Sequence, residues 1–240
     1  MHFLAGLNMD KVHYVVATDR ARNRWMIDYL KKHRGCLAEF TLIEYAEDLD
    51  PQKLDALAPR YIFFPHWSTR IPSVVYENHE CVVFHMTDLP YGRGGTPLQN
   101  LILRGHTETK ISALRCAREL DAGPVYLKRC LSLDGNAEEI LQRAGGAIME
   151  MIEWIIDHEP EPQEQQGEPT VFCRRTPEQS NLSAAGSLDE CFDYIRMLDA
   201  DGYPHAFIET DGLRLEFRDA EHHGDRLSAR VDIRVKGRQD

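Results

Sequence analysis

The chain has 240 residues, and its 28 Lys and Arg against 39 Asp and Glu give a formal net charge of −11. This excess of acid argues against nucleic acid as the main partner, because binding a phosphate backbone needs concentrated Lys and Arg. No apolar run approaches the roughly 18 residues of a membrane span, so we expect no membrane partner and a cytoplasmic location.

Short apolar runs alternate with helical patterns through the first 133 residues. Strands are predicted at Val12–Asp19, Glu39–Ala46, Tyr61–His66, Cys81–Phe84, Lys110–Ala117 and Gly123–Leu133, and helices at 20–33 and 51–58. Near-continuous apolar runs suit strands that are buried on both faces, as in parallel sheets. The alternation therefore predicts an α/β, Rossmann-like fold with a mostly parallel sheet flanked by helices.

The clearest helical pattern runs from Asn136 to Asp157. Asn136 followed by Glu139 resembles a capping box, and the apolar residues behind them form one stripe. Residues 158–170 are polar and rich in proline, which is typical of a linker. We therefore predict a catalytic domain over 1–157, a linker over 158–170 and a small extension over 171–240.

The predicted extension is α+β and packs on the first domain. Ser187–Gly202 has the pattern of a capped amphipathic helix, and Asp211-Gly212 separates two alternating runs, which indicates a β-hairpin. Arg226–Val235 alternates as a further strand. An edge strand here is a candidate surface for a homodimer.

The six cysteines show no pattern typical of a metal site. They stand at positions 36, 81, 116, 130, 173 and 191, with no CxxC pair and no zinc-finger spacing. We therefore predict no metal and no disulfide framework, with most of these cysteines acting as small buried hydrophobic side chains.

Two ionisable residues follow predicted strands. His85 comes directly after the apolar run Cys81–Phe84, and Asp121 stands in the turn ELDAGP after another strand. In open parallel sheets ligands bind beyond the carboxyl ends of the strands, so an imidazole and a carboxylate there can meet for acid–base chemistry. The alternative is structural, with a satisfied histidine and an Asp that serves only the turn.

The glycine-rich stretch GRGGTP (92–97) does not fit a dinucleotide-binding loop. Pro97 occupies the place of the third glycine in G-x-G-x-x-G, and no acidic residue is placed for a ribose. A local interpretation is a tight loop in which Thr96 caps a helix that begins at Pro97. Arg93 either contacts an anion or pairs with a nearby carboxylate.

These residues, taken in order, resemble a known family. HMTDLPYGRGGTPLQNLILRG followed by HTETKISALRCARELDAGPVYL is similar to the core of the folate-dependent N-formyltransferases, which include methionyl-tRNA formyltransferase and the sugar N-formyltransferases. His85 and Asp121 match that family's catalytic His and Asp, and Thr87 falls on its Ser. The tail is similar to the extension of sugar-modifying members, closest to the branch that acts on pseudaminic-acid precursors.

One position departs from the family pattern. Two residues before the histidine the family has an Asn that helps to stabilise the oxyanion, whereas this chain has Val83. His66, at the end of the preceding strand, is our candidate for a substitute, and Asn100 is a weaker one. The alternative for His66 is a loop residue that lines the folate pocket or packs on Trp67.

The resemblance also implies where the substrates bind. N10-formyltetrahydrofolate would lie between the loop that holds Pro65, Trp67 and Ile71 and the loop before Asp121, which includes Leu120. An acceptor such as a nucleotide-linked amino sugar would lie across His85, near Thr87, Arg93, Gly94 and Arg174. The aromatic residues of FFPHW also suit a core, and Arg174-Arg175 also suits a solvated pair.

Function follows as an expectation from the resemblance. The chain would move a formyl group from N10-formyltetrahydrofolate to a primary amine, with Asp121 orienting His85 and no metal required. The acidic composition disfavours methionyl-tRNA as the acceptor. Another small-molecule amine, and a catalytically silent folate- or nucleotide-binding module, stay open as alternatives.

Overall fold

The computed structural model describes residues 11–236 as an α/β sheet domain followed by a small extension. The strands are β1 Val12–Ala17, β2 Ala38–Ile43, β3 Tyr61–Phe64, β4 Cys81–His85, β5 Arg93–Gly94, β6 Glu108–Arg115, β7 Val125–Ser132, β8 Val171–Phe172, β9 Ala206–Glu209, β10 Leu213–His222 and β11 Leu227–Val235. The helices are α1 Trp25–Arg34, α2 Pro51–Leu57, α3 Ser73–Tyr76, α4 Pro97–Ile102, α5 Ala137–His158 and α6 Leu188–Arg196. Short 3-10 turns occupy Ala21–Asn23, Ala46–Asp48, Pro177–Ser180 and Leu182–Ala184.

The main sheet has six strands in the order β2-β1-β3-β4-β6-β7. The first four of these are parallel, and β6 joins β4 in the antiparallel sense. The mostly parallel α/β prediction is therefore confirmed. Phe64 pairs with Val83, so the carboxyl ends of β3 and β4 lie side by side at one edge of the sheet.

Apolar side chains cover both faces of this sheet. On one face α1 and α5 pack against the strands, with Leu30, Ile148 and Ile152 fully buried. On the other face Leu54 of α2 and Val75 of α3 pack over Ile62 and Phe64. This two-sided burial explains why β1 and β3 read as continuous apolar runs rather than alternating ones.

Helix α5 begins as its sequence predicts. The Glu139 amide donates to Asn136 Oδ1 at 3.0 Å and the Asn136 amide donates to Glu139 Oε2 at 3.0 Å, which is a complete capping box. The 22-residue helix lays one long apolar stripe on the sheet. The packing of α5 thereby fixes the position of the sheet and of the strand ends at its edge.

Helix α6 is shorter than its pattern predicts. The Ser187 cap is confirmed, since Ser187 Oγ accepts from the Glu190 amide at 3.1 Å, but the helix ends at Arg196 instead of near Gly202. After Arg196 the chain turns so that Leu198 and Ala200 become buried. Burial of these side chains against the first domain overrides continuation of the helical pattern.

Two local predictions near strand ends also fail. β3 stops at Phe64 rather than reaching His66, because His66 adopts a left-handed φ of 55° that a strand cannot continue through. Thr96 does not cap α4, since its φ is 47° and its hydroxyl accepts from the Arg175 amide at 3.1 Å. Pro97 does occupy the first helical position, as predicted.

Residues 158–170 run along the sheet domain and form hydrogen bonds to it. Val125 and Gln163 exchange backbone hydrogen bonds of 2.7 and 2.8 Å, and the Thr170 amide donates to the Pro90 carbonyl at 3.2 Å. β8 then pairs in parallel with β5. We call residues 158–170 the strap, because they tie the glycine-rich loop and the turn at Asp121 to the extension.

The extension holds a three-stranded antiparallel sheet in the order β11-β10-β9. The predicted turn at Asp211-Gly212 joins β9 to β10, and β11 forms the predicted third strand at the edge. Over residues 11–236, no helix has the length and apolar character needed to cross a membrane. The outer limits of the predicted domains, residues 1 and 240, lie outside the described residues.

Candidate active site

His85 and Asp121 face each other at the carboxyl edge of the sheet. His85 Nδ1 lies 3.4 Å from Asp121 Oδ2, and both side chains are about nine-tenths buried. His85 Nε2 lies 2.7 Å from the Gly92 carbonyl oxygen, so each ring nitrogen faces an acceptor. Burial strengthens such electrostatic contacts, because little water screens them.

The turn that carries Asp121 is fixed by close backbone approach. A Cβ on Gly123 would lie 1.9 Å from the Arg115 carbonyl oxygen, so only glycine lets the turn pack against the end of β6. Asp121 itself has a φ of 54°, a left-handed conformation that Asp tolerates better than most residues. The turn therefore presents its carboxylate in one direction.

The glycine-rich loop closes the other side of Asp121. The Gly94 amide donates to Asp121 Oδ2 at 2.9 Å, which leaves the second oxygen free of the loop. Gly94 has a φ of 102°, and a Cβ there would lie 2.7 Å from the Phe172 carbonyl oxygen. The loop thus holds the Gly94 N–H against the Asp121 carboxylate, and this close approach requires glycine at position 94.

A cavity of about 910 Å³ opens beside the His85–Asp121 pair. This volume lies near the upper end of the range of about 300–1,000 Å³ for small-molecule sites. Of the predicted site residues, eight line it: His66, Trp67, Ile71, His85, Gly94, Leu120, Asp121 and Arg174. Pro65, Thr87 and Arg93 do not line it.

One part of the cavity wall carries most of the apolar lining, together with Arg70, Arg115 and Arg118 from the same segments. This part comes from the loop after β3 and from the end of β6, and it includes Trp67, Ile71, Tyr76, Val83, Leu114, Cys116, Ala117 and Leu120. The indole Nε1 of Trp67 is buried and has no acceptor among the residues that the structure describes. Burial raises the pKa of the Cys116 thiol to about 11, so it stays protonated at neutral pH and is no nucleophile.

The charged side chains that line the cavity are mainly positive, whereas the net charge of the chain is negative. Seven arginines line it, namely Arg20, Arg22, Arg70, Arg115, Arg118, Arg174 and Arg175, whereas Asp121 is the single carboxylate among the described lining residues. Arg22 and Arg115 are paired with Glu138 and Glu80, but Arg174 has no ion-pair partner within residues 11–236. A cavity of this kind focuses a positive potential on its ligands in a chain of net charge −11.

His66 stands on the side of the cavity that faces Arg20 and Arg22. Its Nδ1 lies 3.1 Å from Asn23 Nδ2, while its Nε2 is buried with no acceptor in the described part of the chain. Burial, together with the nearby Arg22 and Arg20, lowers the pKa of His66 to about 4. At neutral pH the ring is therefore uncharged.

Asn100, the weaker candidate for the missing oxyanion donor, is fully engaged elsewhere. Its amide nitrogen lies within 3.1 Å of the Gly95, Thr96 and Cys173 carbonyl oxygens and of Thr96 Oγ1. Its oxygen accepts from Arg104 at 2.7 Å. The Asn100 side chain thus joins the start of α4 to the extension and has no hydrogen left for a ligand.

The three predicted residues outside the cavity support its walls. The Pro65 carbonyl accepts from Asn23 at 3.2 Å, and buried Thr87 donates to the Gly92 carbonyl at 3.4 Å. Arg93 donates to Gln165 Oε1 at 2.8 Å and lies 3.5 Å from Glu119, so its guanidinium contacts protein groups. Gln165 also donates to the Asp121 and Gly123 carbonyl oxygens, both at 2.8 Å.

Sequence reasoning missed several residues of the site. Arg20 and Arg22 follow β1, whose carboxyl end lies at the same edge as His85, so the strand-end rule could have indicated them. No sequence signal indicates Gln165, because a glutamine in a polar segment is unremarkable until its contacts are known. The same holds for Ser180, which ends a 3-10 turn, and for Tyr203, both of which line the cavity.

A strand-end His–Asp pair beside a deep cavity, on a mostly parallel sheet with a short C-terminal unit, defines a class of ligand-binding α/β proteins. A solved structure named methionyl-tRNA formyltransferase from Clostridium thermocellum is 45% identical, has a TM-score of 0.91, and covers 93% of this chain and 99% of that one. The family model described as methionyl-tRNA formyltransferase, C-terminal domain, matches residues 177–234. The chain belongs to the formyltransferase family.

Other relatives are more distant. Methionyl-tRNA formyltransferase of Wolinella succinogenes is 24% identical over 178 residues, which is 70% of this chain and 57% of that protein. The chain thus spans little more than half the length of the curated relatives it matches first. A sugar N-formyltransferase from Shewanella sp. FDAARGOS_354 shares the fold, with a TM-score of 0.70, 15% identity, and coverage of 86% of this chain and 96% of that one.

Proposed function

We propose that this protein transfers a formyl group from N10-formyltetrahydrofolate to the primary amine of a nucleotide-linked amino sugar. The observation that carries the proposal is the buried His85–Asp121 pair, 3.4 Å apart, in a cavity lined both by apolar side chains and by seven arginines. These two kinds of lining suit two chemically different substrates that meet at the pair. Family membership supports the formyl-transfer part of the proposal.

The apolar part of the cavity wall fits a folate. A pterin is flat, and the loop after β3 and the end of β6 offer apolar walls on which it can lie. Trp67, Ile71 and Leu120 would hold the ring, with Leu120 70% exposed at the rim. N10-formyltetrahydrofolate supplies an already activated one-carbon unit, so the protein's task is to position groups and move a proton.

His85 and Asp121 would handle that proton. When an amine attacks a formyl carbon, positive charge develops on the attacking nitrogen and negative charge on the oxygen. His85 can take the proton that the attacking amine releases, while Asp121 stabilises the imidazolium that results. The imidazolium then returns that proton to N10 of the folate as the bond between the formyl carbon and N10 breaks, so that tetrahydrofolate leaves. The Gly94 N–H holds the Asp121 carboxylate in place for this task.

The acceptor part of the cavity is selective for anions by its charge. Arg174 has no ion-pair partner in residues 11–236, and Arg175, Arg20 and Arg22 line the same cavity, the last two paired with Asp19 and Glu138. A nucleotide-linked sugar brings phosphates to pair with such arginines and an amine to place at His85. A neutral amine would gain nothing from this positive lining.

Methionyl-tRNA is the second candidate acceptor, and the names of several relatives favour it. The electrostatics of this chain oppose it. Residues 177–234, which match the C-terminal family model, hold 13 acidic and six basic side chains, so their formal charge is −7. A surface of that charge repels a phosphate backbone, whereas the cavity is lined by seven arginines, none of them from residues 177–234.

The test is a direct competition between acceptors. The protein would be incubated with N10-formyltetrahydrofolate and, separately, nucleotide-linked amino sugars, free amino sugars or methionyl-tRNA, while release of tetrahydrofolate is followed. We expect turnover with a nucleotide-linked sugar and little with the free sugar. A higher kcat/KM for methionyl-tRNA than for every sugar would overturn the proposal, and folate binding without turnover on any amine would identify a silent module.

A further inference from the structure

We infer that strand β11 pairs antiparallel with β11 of a second copy of this chain, so that the protein forms a twofold-symmetric dimer. β11 is the outer strand of the three-stranded sheet of the extension, whose order is β11-β10-β9. The opposite edge of this sheet is already occupied, because Phe207 of β9 forms a parallel bridge to Asn181. Among residues 11–236, the open edge of the sheet is therefore β11.

One face of β10 and β11 is apolar and is covered at only one end. It carries three side chains from each strand, which pair across the ladder as Leu213 with Val235, Leu215 with Ile233 and Phe217 with Val231. Phe217 packs against the main core cluster, whereas Leu213 is 40%, Val235 57% and Ile233 62% exposed. An apolar face that the described chain covers only in part marks an interaction surface.

β11 lacks the features that usually keep an edge strand from pairing with another chain. It is nine residues long and contains no proline, and the bulge of its ladder lies between Arg218 and Glu221 of β10. The Lys236 amide donates to the Gly212 carbonyl at 3.0 Å, toward β10. Because hydrogen-bonded pairs alternate along an antiparallel ladder, the N–H and C=O groups of Val231 point away from β10. The outer edge of β11 can therefore accept a further strand.

The charges of β11 select one register for this pairing. Directly opposed residues of antiparallel strands point to the same face, so a register that keeps the two apolar faces together has a residue opposite its own copy. With Val231 at that position, all nine residues of each strand pair, and Arg230 lies opposite Asp232 of the second copy twice. A register centred on Asp232 would oppose two carboxylates and set Arg230 opposite Arg234, which is unfavourable. Centres further along the strand leave more residues unpaired.

The same register gives the exposed apolar side chains new neighbours. Ile233 lies opposite Ala229 of the second copy, and Val235 lies opposite Leu227. Leu227 and Ala229 pack against the main core cluster, so the exposed end of each sheet meets the covered end of the other. Each surface thus meets an identical surface, and the assembly closes at two subunits with one sheet of six strands.

The test is sedimentation velocity of the full chain over a wide range of protein concentration. Val231→Glu sets two carboxylates against each other at the twofold axis, and Arg230→Asp sets a carboxylate opposite Asp232. Adding Asp232→Arg to Arg230→Asp restores opposite charges, and the carboxylate at position 230 then lies opposite Arg218 in its own chain. Leu37→Glu is the matched control, since Leu37 is 74% exposed and lies outside the extension.

We expect the parent to sediment as a dimer, with the dimer Kd raised about 100-fold by Val231→Glu and about tenfold by Arg230→Asp. The double exchange should recover most of that tenfold loss, and Leu37→Glu should change nothing. A parent that stays monomeric at every concentration, or a dimer that Val231→Glu weakens no more than Leu37→Glu does, would refute the inference. A dimer that is weakened by Val231→Glu but not by Arg230→Asp would overturn the stated register.

Formyl transfer is a separate readout in the same variants. None of the described residues of β10 and β11 lines the cavity, so Val231→Glu should keep the kcat of the parent. A protein that dimerises as expected but transfers no formyl group refutes the proposed function and leaves the β11 pairing standing.

Discussion

The two walls of the cavity, one built by the main sheet and the other by residues 174–204, are constructed in different ways. On the sheet wall, His85 ends a central strand and Asp121 follows β6 in a turn that Gly123 packs against β6. On the other wall, Arg174, Arg175 and Ser180 lie in 3-10 turns and irregular chain, held by contacts such as that of Arg175 with Thr96.

This difference in construction corresponds to a difference in role: the reacting groups lie on the sheet wall, and groups that recognise the acceptor lie on the other wall. The reacting groups need fixed mutual geometry, and strands buried on both faces supply it. Recognition groups need to match one ligand, and irregular segments change without disturbing the sheet. We therefore expect substitutions on the sheet wall to lower kcat and substitutions on the other wall to change the binding of the acceptor.

The largest expected effect is that of His85→Asn. Removing the imidazole removes the proton-transfer group and the partner of Asp121, so kcat should fall by about 100- to 10,000-fold. The acceptor KM should change little, because no arginine of the other wall is touched. Steady-state kinetics with a turned-over amino sugar measure both quantities.

His33→Asn is the matched control for that variant, since His33 is exposed on α1. Circular dichroism would verify that both variants fold. If His85→Asn retains kcat within a factor of three, the sheet wall does not hold the reaction chemistry. The proposed separation of reacting groups on the sheet wall from recognition groups on the other wall would then be wrong.

The same division describes what the sequence could predict. The strand-end rule does not account for Asp121, because β6 is antiparallel to β4 and Arg115 at its carboxyl end pairs with Val82, away from His85. Apolar runs and strand polarity did predict the sheet and placed His85 at the carboxyl edge of the parallel strands, because these are local properties. They could not predict that α6 ends at Arg196, that Thr96 bonds to Arg175, or that Gln165 bridges two loops. Those features depend on contacts between residues up to 79 positions apart, which no local pattern encodes.

An effect of intermediate size is expected in how the free energy of unfolding changes with pH. The unfolded chain protonates His66 near its ordinary pKa of about 6.5, whereas burial and Arg22 hold the folded pKa at about 4. Between these two pH values the unfolded state binds more protons, so the free energy of unfolding falls as the pH is lowered. The shift corresponds to about 3 kcal/mol across that window.

Urea unfolding of the parent protein and of His66→Asn at pH 7, 6, 5 and 4 measures this contribution. The stability of the parent should decline relative to the variant by about 3 kcal/mol between pH 6.5 and pH 4, since Asn does not titrate. A constant difference between the two proteins would mean that His66 is not buried as a neutral ring.

The smallest expected effect tests the strap that connects the two walls. Gln165→Ala removes the hydrogen bonds to the Asp121 and Gly123 carbonyls and the one from Arg93, so the free energy of unfolding should fall by about 1–2 kcal/mol. Because Asp121 then loses part of its support, kcat should fall several-fold while the acceptor KM stays nearly constant. Gln166→Ala is the matched control, since Gln166 is exposed and, within residues 11–236, its side-chain amide reaches only the Glu164 carbonyl. Equal kinetics and equal urea midpoints for the two variants would show that the strap merely passes over the site, whereas a rise in KM without a change in kcat would place Gln165 with the recognition wall.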